Sequence, residues 1–148
     1  MSFEIERKFL VSDDSYKALA TDSRAIEQGY LNRDPERTVR VRVLGTLGFI
    51  TVKGRNAGAV RHEWEYEIPV ADAREMLALC TGTVVKRRWY VPGADGYTWE
   101  VDEFGGRHAG LVVAEIELPA ADAPFERPAF VAAEVTGDPR YYNSQLAL

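Results

Sequence analysis

Ionisable residues recur two positions apart along the chain. Glu4, Glu6 and Lys8 form one such row, Arg40 and Arg42 another, then Glu63, Glu65 and Glu67, Lys86 and Arg88, Glu100 and Asp102, and Glu115 and Glu117. Lys53 follows Ile50 and Val52 at the opposite parity. In a strand, residues i and i+2 share a face. Paired carboxylates on one face offer oxygen ligands to a hard cation such as Mg²⁺ or Mn²⁺. Rows of Arg and Lys offer forked and point-charge contacts to phosphoryl oxygens. Other devices are missing: no G-x-x-x-x-G-K-[ST] loop, no G-x-G-x-x-G, no serine elbow. His62 and His108 are not spaced as a metal pair. The parity of His62 suits a surface or cover role, and the Gly-rich turn around His108 a solvated one. Cys80, at the end of an apolar helical run, reads as core.

The elements that must carry these rows are mostly strands. Strands are expected over Phe3–Leu10, Ala25–Asn32, Thr38–Leu44, Phe49–Lys53, Arg61–Val70, Thr83–Val91, Tyr97–Phe104 and Leu111–Leu118. Gly45-Thr46 and Gly105-Gly106 mark hairpins, and Pro92 to Gly96 a turn. Short helices are expected from Ser12–Asp14 to Ala20, from Asp72 to Leu79, and from Asp138-Pro139, with Asp as cap and Pro at the first helical position. About eight strands with short helices point to a mainly β (α+β) fold, a closed antiparallel barrel or a strongly curled sheet.

Each charged row opposes an apolar one, and alternation does not say which face is inside. Charge is, however, segregated by strand: acids on the first, fifth, seventh and eighth, bases on the third, fourth and sixth. Solvated sheets more often mix signs between neighbours. Turned inward, such rows require a polyanion and hard cations, because unpaired buried charge is very costly.

Composition bounds the rest. The chain has 148 residues, a single-domain length. A net charge of −5 argues against nucleic acid as the main partner. No apolar run approaches a membrane span, and Met1-Ser2-Phe3-Glu4 does not read as a signal peptide, so a cytoplasmic protein is expected, with no membrane partner. One cysteine excludes an intramolecular disulfide.

In order along the whole chain, Glu4-Ile5-Glu6-Arg7-Lys8, Gln28-Gly29-Tyr30-Leu31, Val39-Arg40-Val41-Arg42, Thr51-Val52-Lys53-Gly54, Glu63-Trp64-Glu65-Tyr66-Glu67, Lys86-Arg87-Arg88, Trp99-Glu100-Val101-Asp102, Glu115-Ile116-Glu117 and Tyr141-Tyr142-Asn143 resemble the CYTH domain, the triphosphate tunnel metalloenzyme family. It is most similar to the short bacterial members. The resemblance implies one domain over residues 1–148, an eight-stranded antiparallel tunnel with charges inward and helices outside. Trp64, Tyr66, Trp89 and Trp99 would then lie in an outer core.

Carried over by position, the resemblance implies metal ligation by Glu4, Glu6, Glu115 and Glu117. Glu100 and Asp102 would be further ligands or water-positioning groups. Lys8, Arg40, Arg42, Lys53, Lys86 and Arg88 would cradle a triphosphate, with Glu63 and Glu65 as inward acids. Tyr30 matches a tyrosine proposed as proton acceptor, although a phenol ordinarily titrates near 10 and suits a positioning role equally. Many members carry a lysine near the C-terminal helix; here Arg140 is the only base of that segment and would take its place in binding substrate. The implied activity is Mg²⁺- or Mn²⁺-dependent hydrolysis of inorganic or organic triphosphate. Class IV-type adenylate cyclisation, thiamine triphosphate hydrolysis and non-catalytic polyphosphate or nucleotide binding are the alternatives. Relatives include dimers, so a homodimer is among the assemblies to expect.

Overall fold

A computed structural model describes residues 2–148. Nine strands appear in chain order: β1 (Ser2–Val11), β2 (Asp22–Asn32), β3 (Arg37–Leu44), β4 (Leu47–Gly54), β5 (Val60–Ile68), β6 (Thr83–Pro92), β7 (Thr98–Phe104), β8 (Val112–Glu117) and β9 (Val131–Glu134). The helices are α1 (Tyr16–Leu19), α2 (Val70–Leu77) and α3 (Asn143–Leu146), with 3₁₀ turns at Gly106–His108 and Pro139–Tyr141.

The sheet runs β5-β4-β3-β2-β6-β7-β8-β1, all pairs antiparallel. It closes because β1 pairs twice. Its start, Ser2 to Ile5, meets β5, while Glu6 to Leu10 meet β8 on the other edge. Beyond Ile5 the edge freed by β5 is taken by β9, through Phe9 and Val11. Closure removes the open edges that an eight-stranded sheet would otherwise present.

Several short elements differ from expectation. Asp13 accepts from the Ser15 amide in a turn, so α1 is a single turn rather than a helix from Ser12. α2 begins at Val70, right after β5, rather than at Asp72. Asp138 caps as expected and accepts from the Arg140 amide, but the turn it opens is 3₁₀. β9 was not foreseen, since its four residues show no alternation beyond the barrel's own. Among the described residues no helix is long and apolar enough to cross a membrane.

The apolar faces turn outward and are covered unevenly. Phe9, Tyr16, Trp99, Ile116 and Phe130 form the main outer core, where α1 and the 119–130 segment lie over β1, β6, β7 and β8. α2 covers Val41 and Val43 through Ala73 and Leu77. α3 packs differently: its Leu146 meets Tyr30, Val84 and Phe104, which share the parity of the inward rows, so this small cluster closes one end of the barrel from within. Trp99 is therefore fully buried and Trp89 packs at the margin of this core. Tyr66 is a correction: it is 65% exposed, because among the described residues the helical cover reaches β5 only at its end, Ile68. Trp64 is half-buried and stacks on His62, whose ring lies 4.4 Å from that of Phe3, the cover role expected of that histidine.

Candidate functional site

The charged rows line the inside of the barrel. Lys8, Arg40, Arg42, Lys53, Lys86, Arg88, Asp102 and Glu115 are all buried. Strand order gives the rows a pattern that chain order hides. The acid-bearing strands β7, β8, β1 and β5 are consecutive around the barrel, and so are β4, β3, β2 and β6. One half of the wall is acidic, with Lys8 as the exception. The other half is cationic, with Gln28 and Tyr30 of β2 set into it.

Across the acidic half, carboxylates stand opposite each other. Glu6 is the direct partner of Glu117, and Glu100 of Glu115. Like charges directly opposed are destabilising. The titration behaviour follows. Burial, then the charges of Glu115 and Glu4, push Glu6 up to about 8. Burial, Glu4 and Glu100 raise Glu117. Burial raises Glu4, with Lys53 opposing. Glu115 goes the other way: burial would raise it, but Lys8, 3.4 Å away, and the neighbouring bases hold it at about 2.

The cationic half is held by a few shared carboxylates. Glu65 Oε2 accepts from Thr51 at 2.7 Å, Arg40 at 3.2 Å and Arg42 at 3.3 Å. Lys53 Nζ spans both halves, 2.9 Å from Glu4 and 3.3 Å from Glu63. Burial and the like charges of Arg40 and Arg88 lower Arg42 to about 10. Asp102, 1% exposed, takes a forked pair from Arg88 and a 2.7 Å bond from Lys86 Nζ. Burial alone would raise Asp102, yet Arg88 and Lys86 hold it well below the usual carboxylate range. Burial lowers Lys86 to about 8 despite Asp102.

Two cavities share Glu4, Glu6, Arg40, Lys53 and Asn143 and together make the tunnel. One, of about 190 Å³, adds Arg42, Arg88, Glu63, Glu65, Glu100, Glu115 and Glu117. The other adds Lys8, Tyr30, Thr38, Asn56, Arg61 and Tyr142. The structure thus brings Glu4, Glu6, Lys8, Tyr30, Arg40, Arg42, Lys53, Arg88, Glu100, Glu115 and Glu117 to one space. Lys86 and Asp102 are not among the lining residues. They pair within the wall behind the cavity, where Asp102 also holds Arg88 and Lys86 also donates to Asn143. Arg140 is not brought there: its guanidinium, 78% exposed, forks onto Asp138 in the turn that Asp138 caps.

Some site residues had no signal in the rows. Thr51 and Gln28 share the inward parity but are neutral. The C-terminal segment reaches back across the barrel end by contacts that only folding makes. Tyr141 O accepts from Lys8 Nζ at 3.2 Å, the Tyr142 hydroxyl from Asn56 at 3.0 Å, and Asn143 Oδ1 from Lys86 Nζ at 2.9 Å. His108, expected in solvent, is half-buried, with its Nε2 2.6 Å from Leu146 O at the foot of α3. Cys80, expected in the core, is only half-buried.

The profile of the CYTH domain matches residues 2–142. The chain belongs to the CYTH domain family. An inorganic triphosphatase of Acetivibrio thermocellus is 51% identical over 99% of this chain and 94% of its own. A second, of Nitrosomonas europaea, is 35% identical over 98% of this chain and 97% of its own. The crystal structure of an inorganic triphosphatase superposes with a TM-score of 0.68 at 33% identity, covering 99% of this chain and 95% of that one. The closed CYTH barrel seen here is the tunnel that the resemblance implied.

Proposed function

We propose that this protein hydrolyses inorganic triphosphate with the help of a divalent cation, Mg²⁺ or Mn²⁺. The observation that carries the reading is the division of the barrel into an acidic and a cationic half around one continuous space. A binder of bare anions gains nothing from opposed carboxylates, whereas a metal–polyphosphate pair satisfies both halves. The naming of two close relatives as inorganic triphosphatases supports the substrate class.

Glu6, Glu117, Glu4 and Glu115 are the residues that would hold the cation. Their fit rests on geometry: Glu6 stands directly opposite Glu117, and all four line one cavity, where burial and then neighbouring carboxylates raise Glu6 and Glu117. Among the described residues no three acidic or histidine side chains already converge as a ligand cluster, since ion pairs hold Glu4 to Lys53 and Glu115 to Lys8. Bound, the cation would neutralise phosphoryl charge and polarise a phosphoryl oxygen. With Glu4 on the cation, Lys53 would keep Glu63 and have donors left for the phosphate. Arg40, Arg42 and Arg88 present N–H groups from the opposite wall to the equatorial oxygens and to the leaving diphosphate. Attack by water at the terminal phosphorus then breaks one P–O–P bond, and positioning with charge neutralisation supplies the rate. We place the protein in the cytoplasm, where triphosphates and Mg²⁺ occur together, acting on a small molecule.

The deciding experiment is phosphate release from tripolyphosphate, ATP and thiamine triphosphate with each metal, beside cyclic AMP formation from ATP. Release from tripolyphosphate that is lost in Glu6→Gln is expected. Cyclic AMP as the main product would make the protein a cyclase. Tight binding without turnover would make it a polyphosphate-binding module.

A further inference from the structure

Gln28 is a side chain that the catalytic reading leaves unused. It is fully buried on the inner face of β2, directly across from Arg42 in the β2–β3 register. Its Nε2 lies 3.2 Å from the hydroxyl of Tyr30, two residues along the same face. Its Oε1 is buried with no hydrogen-bond partner among the described residues. A buried neutral amide within a charged barrel is expensive unless its orientation does something.

The electrostatics set that orientation. Gln28 stands in the cationic half, between the register positions of Tyr30–Arg40 and Ile26–Lys86. An amide dipole in that field turns its oxygen toward the guanidinium row and its NH₂ away. Reversal would also leave both N–H donors unmet, where the orientation shown leaves one N–H and one carbonyl oxygen, and an orphaned N–H is the rarer of the two. Gln28 is thus the donor and the Tyr30 oxygen the acceptor. A phenol has only one proton. With its oxygen engaged by Gln28, that proton is directed away, and Tyr30 lines the cavity beside Lys8, Arg40 and Lys53.

We infer that Gln28 is a positioning residue that fixes the Tyr30 hydroxyl as a hydrogen-bond donor into the tunnel, aimed at a phosphoryl oxygen of the substrate. The inference rests on the triphosphatase reading for its ligand, but not for its hydrogen bond. It departs from the proton-acceptor role that the resemblance carried to Tyr30. A donor fixed before substrate arrives needs no reorganisation during reaction, the condition under which such a bond counts most.

The test is a double-mutant cycle of Gln28→Leu and Tyr30→Phe, with tyrosine Raman spectra of the metal-free proteins. Tyr30→Phe should lower kcat for tripolyphosphate on the order of 100-fold. Gln28→Leu should lower it about tenfold, with KM nearly unchanged. The double variant should be no slower than Tyr30→Phe alone, because Gln28 acts only through that hydroxyl. Losses that multiply would overturn the inference. The Raman Fermi doublet of Tyr30, isolated by subtracting the Tyr30→Phe spectrum, should report an accepting phenol in the parent and lose that signature in Gln28→Leu. A doublet indifferent to Gln28 would also overturn it. Gln28→Met serves both measurements if the leucine variant does not fold. A parent inert toward tripolyphosphate would sink the substrate reading, while the spectra would still decide the hydrogen bond.

Discussion

At the scale of single residues, the barrel separates side chains that face the cavity with donors to spare from side chains spent on one another within the wall. Arg40 and Arg42 share one carboxylate oxygen of Glu65 and both line the cavity, so each has donors left for a ligand. Arg40→Ala or Arg42→Ala is expected to raise KM for tripolyphosphate by roughly tenfold or more, a lost charge-assisted contact. Metal affinity, read by calorimetry, should barely change. Asp102 behaves differently. Its two oxygens are consumed by Lys86 and Arg88, and Asp102→Asn leaves Lys86 buried without a carboxylate and Arg88 with Glu100 alone. The expected cost is about 3–5 kcal/mol, measured by urea unfolding. If Asp102→Asn leaves stability intact but abolishes metal binding, Asp102 is a ligand and not a partner spent within the wall.

At the scale of elements, the C-terminal segment is the least secured part of the site. α3 is four residues long and is held by Leu146, by Asn143 on Lys86, and by Arg107 and His108 on the Leu146 carbonyl. A helix this short has no stability of its own. Leu146→Ala removes its apolar anchor, at a local cost of about 2 kcal/mol. The expected result is faster amide exchange over residues 139–148 and at Tyr30, with a much smaller change in β7 and β8. KM should rise several-fold, because Lys8 loses the Tyr141 carbonyl and the cavity loses Tyr142 and Asn143 from its lining. Uniform acceleration across all strands would mean that α3 is part of the global fold rather than a docked end. Elsewhere, elements followed local chemistry. The β3–β4 hairpin turns at Gly45, where φ is 58°, a conformation that glycine adopts without a Cβ penalty.

At the scale of the whole molecule, the acidic half-wall makes stability depend on pH and on metal. Glu6 titrates at about 8 when folded, above the ordinary carboxylate value of 4.5. Its contribution is fully present below that ordinary value and is lost as pH rises through about 8. Glu115, held at about 2, contributes the opposite way, and its share is lost only as pH falls toward that value. Metal-free protein should therefore melt several degrees lower at about pH 8.5 than at about pH 5. Mg²⁺ or Mn²⁺ should close that gap by binding only the folded state. Glu6→Gln should flatten the profile and abolish the metal effect. A metal-free melting temperature that rises steadily to pH 8.5 would contradict the assignment. The alternation of Glu4, Glu6 and Lys8, or of Arg40 and Arg42, made the strands and the pairing of one ionised with one apolar face legible in one dimension, because side-chain period in a strand is a local property. The glycines placed the hairpins for the same reason. Which face turned inward was not local: it rested on resemblance, and the closed sheet made it a fact. Nor could alternation show that Tyr66 would stay uncovered, since that depends on where helices dock. The grouping of acids on β7, β8, β1 and β5 into one wall, opposite the bases of β4, β3 and β6, exists only once β1 pairs with both β5 and β8. Strand adjacency is set by closure and not by chain order, so the sequence determined which charges the tunnel holds and the tertiary structure alone decided which charges face one another.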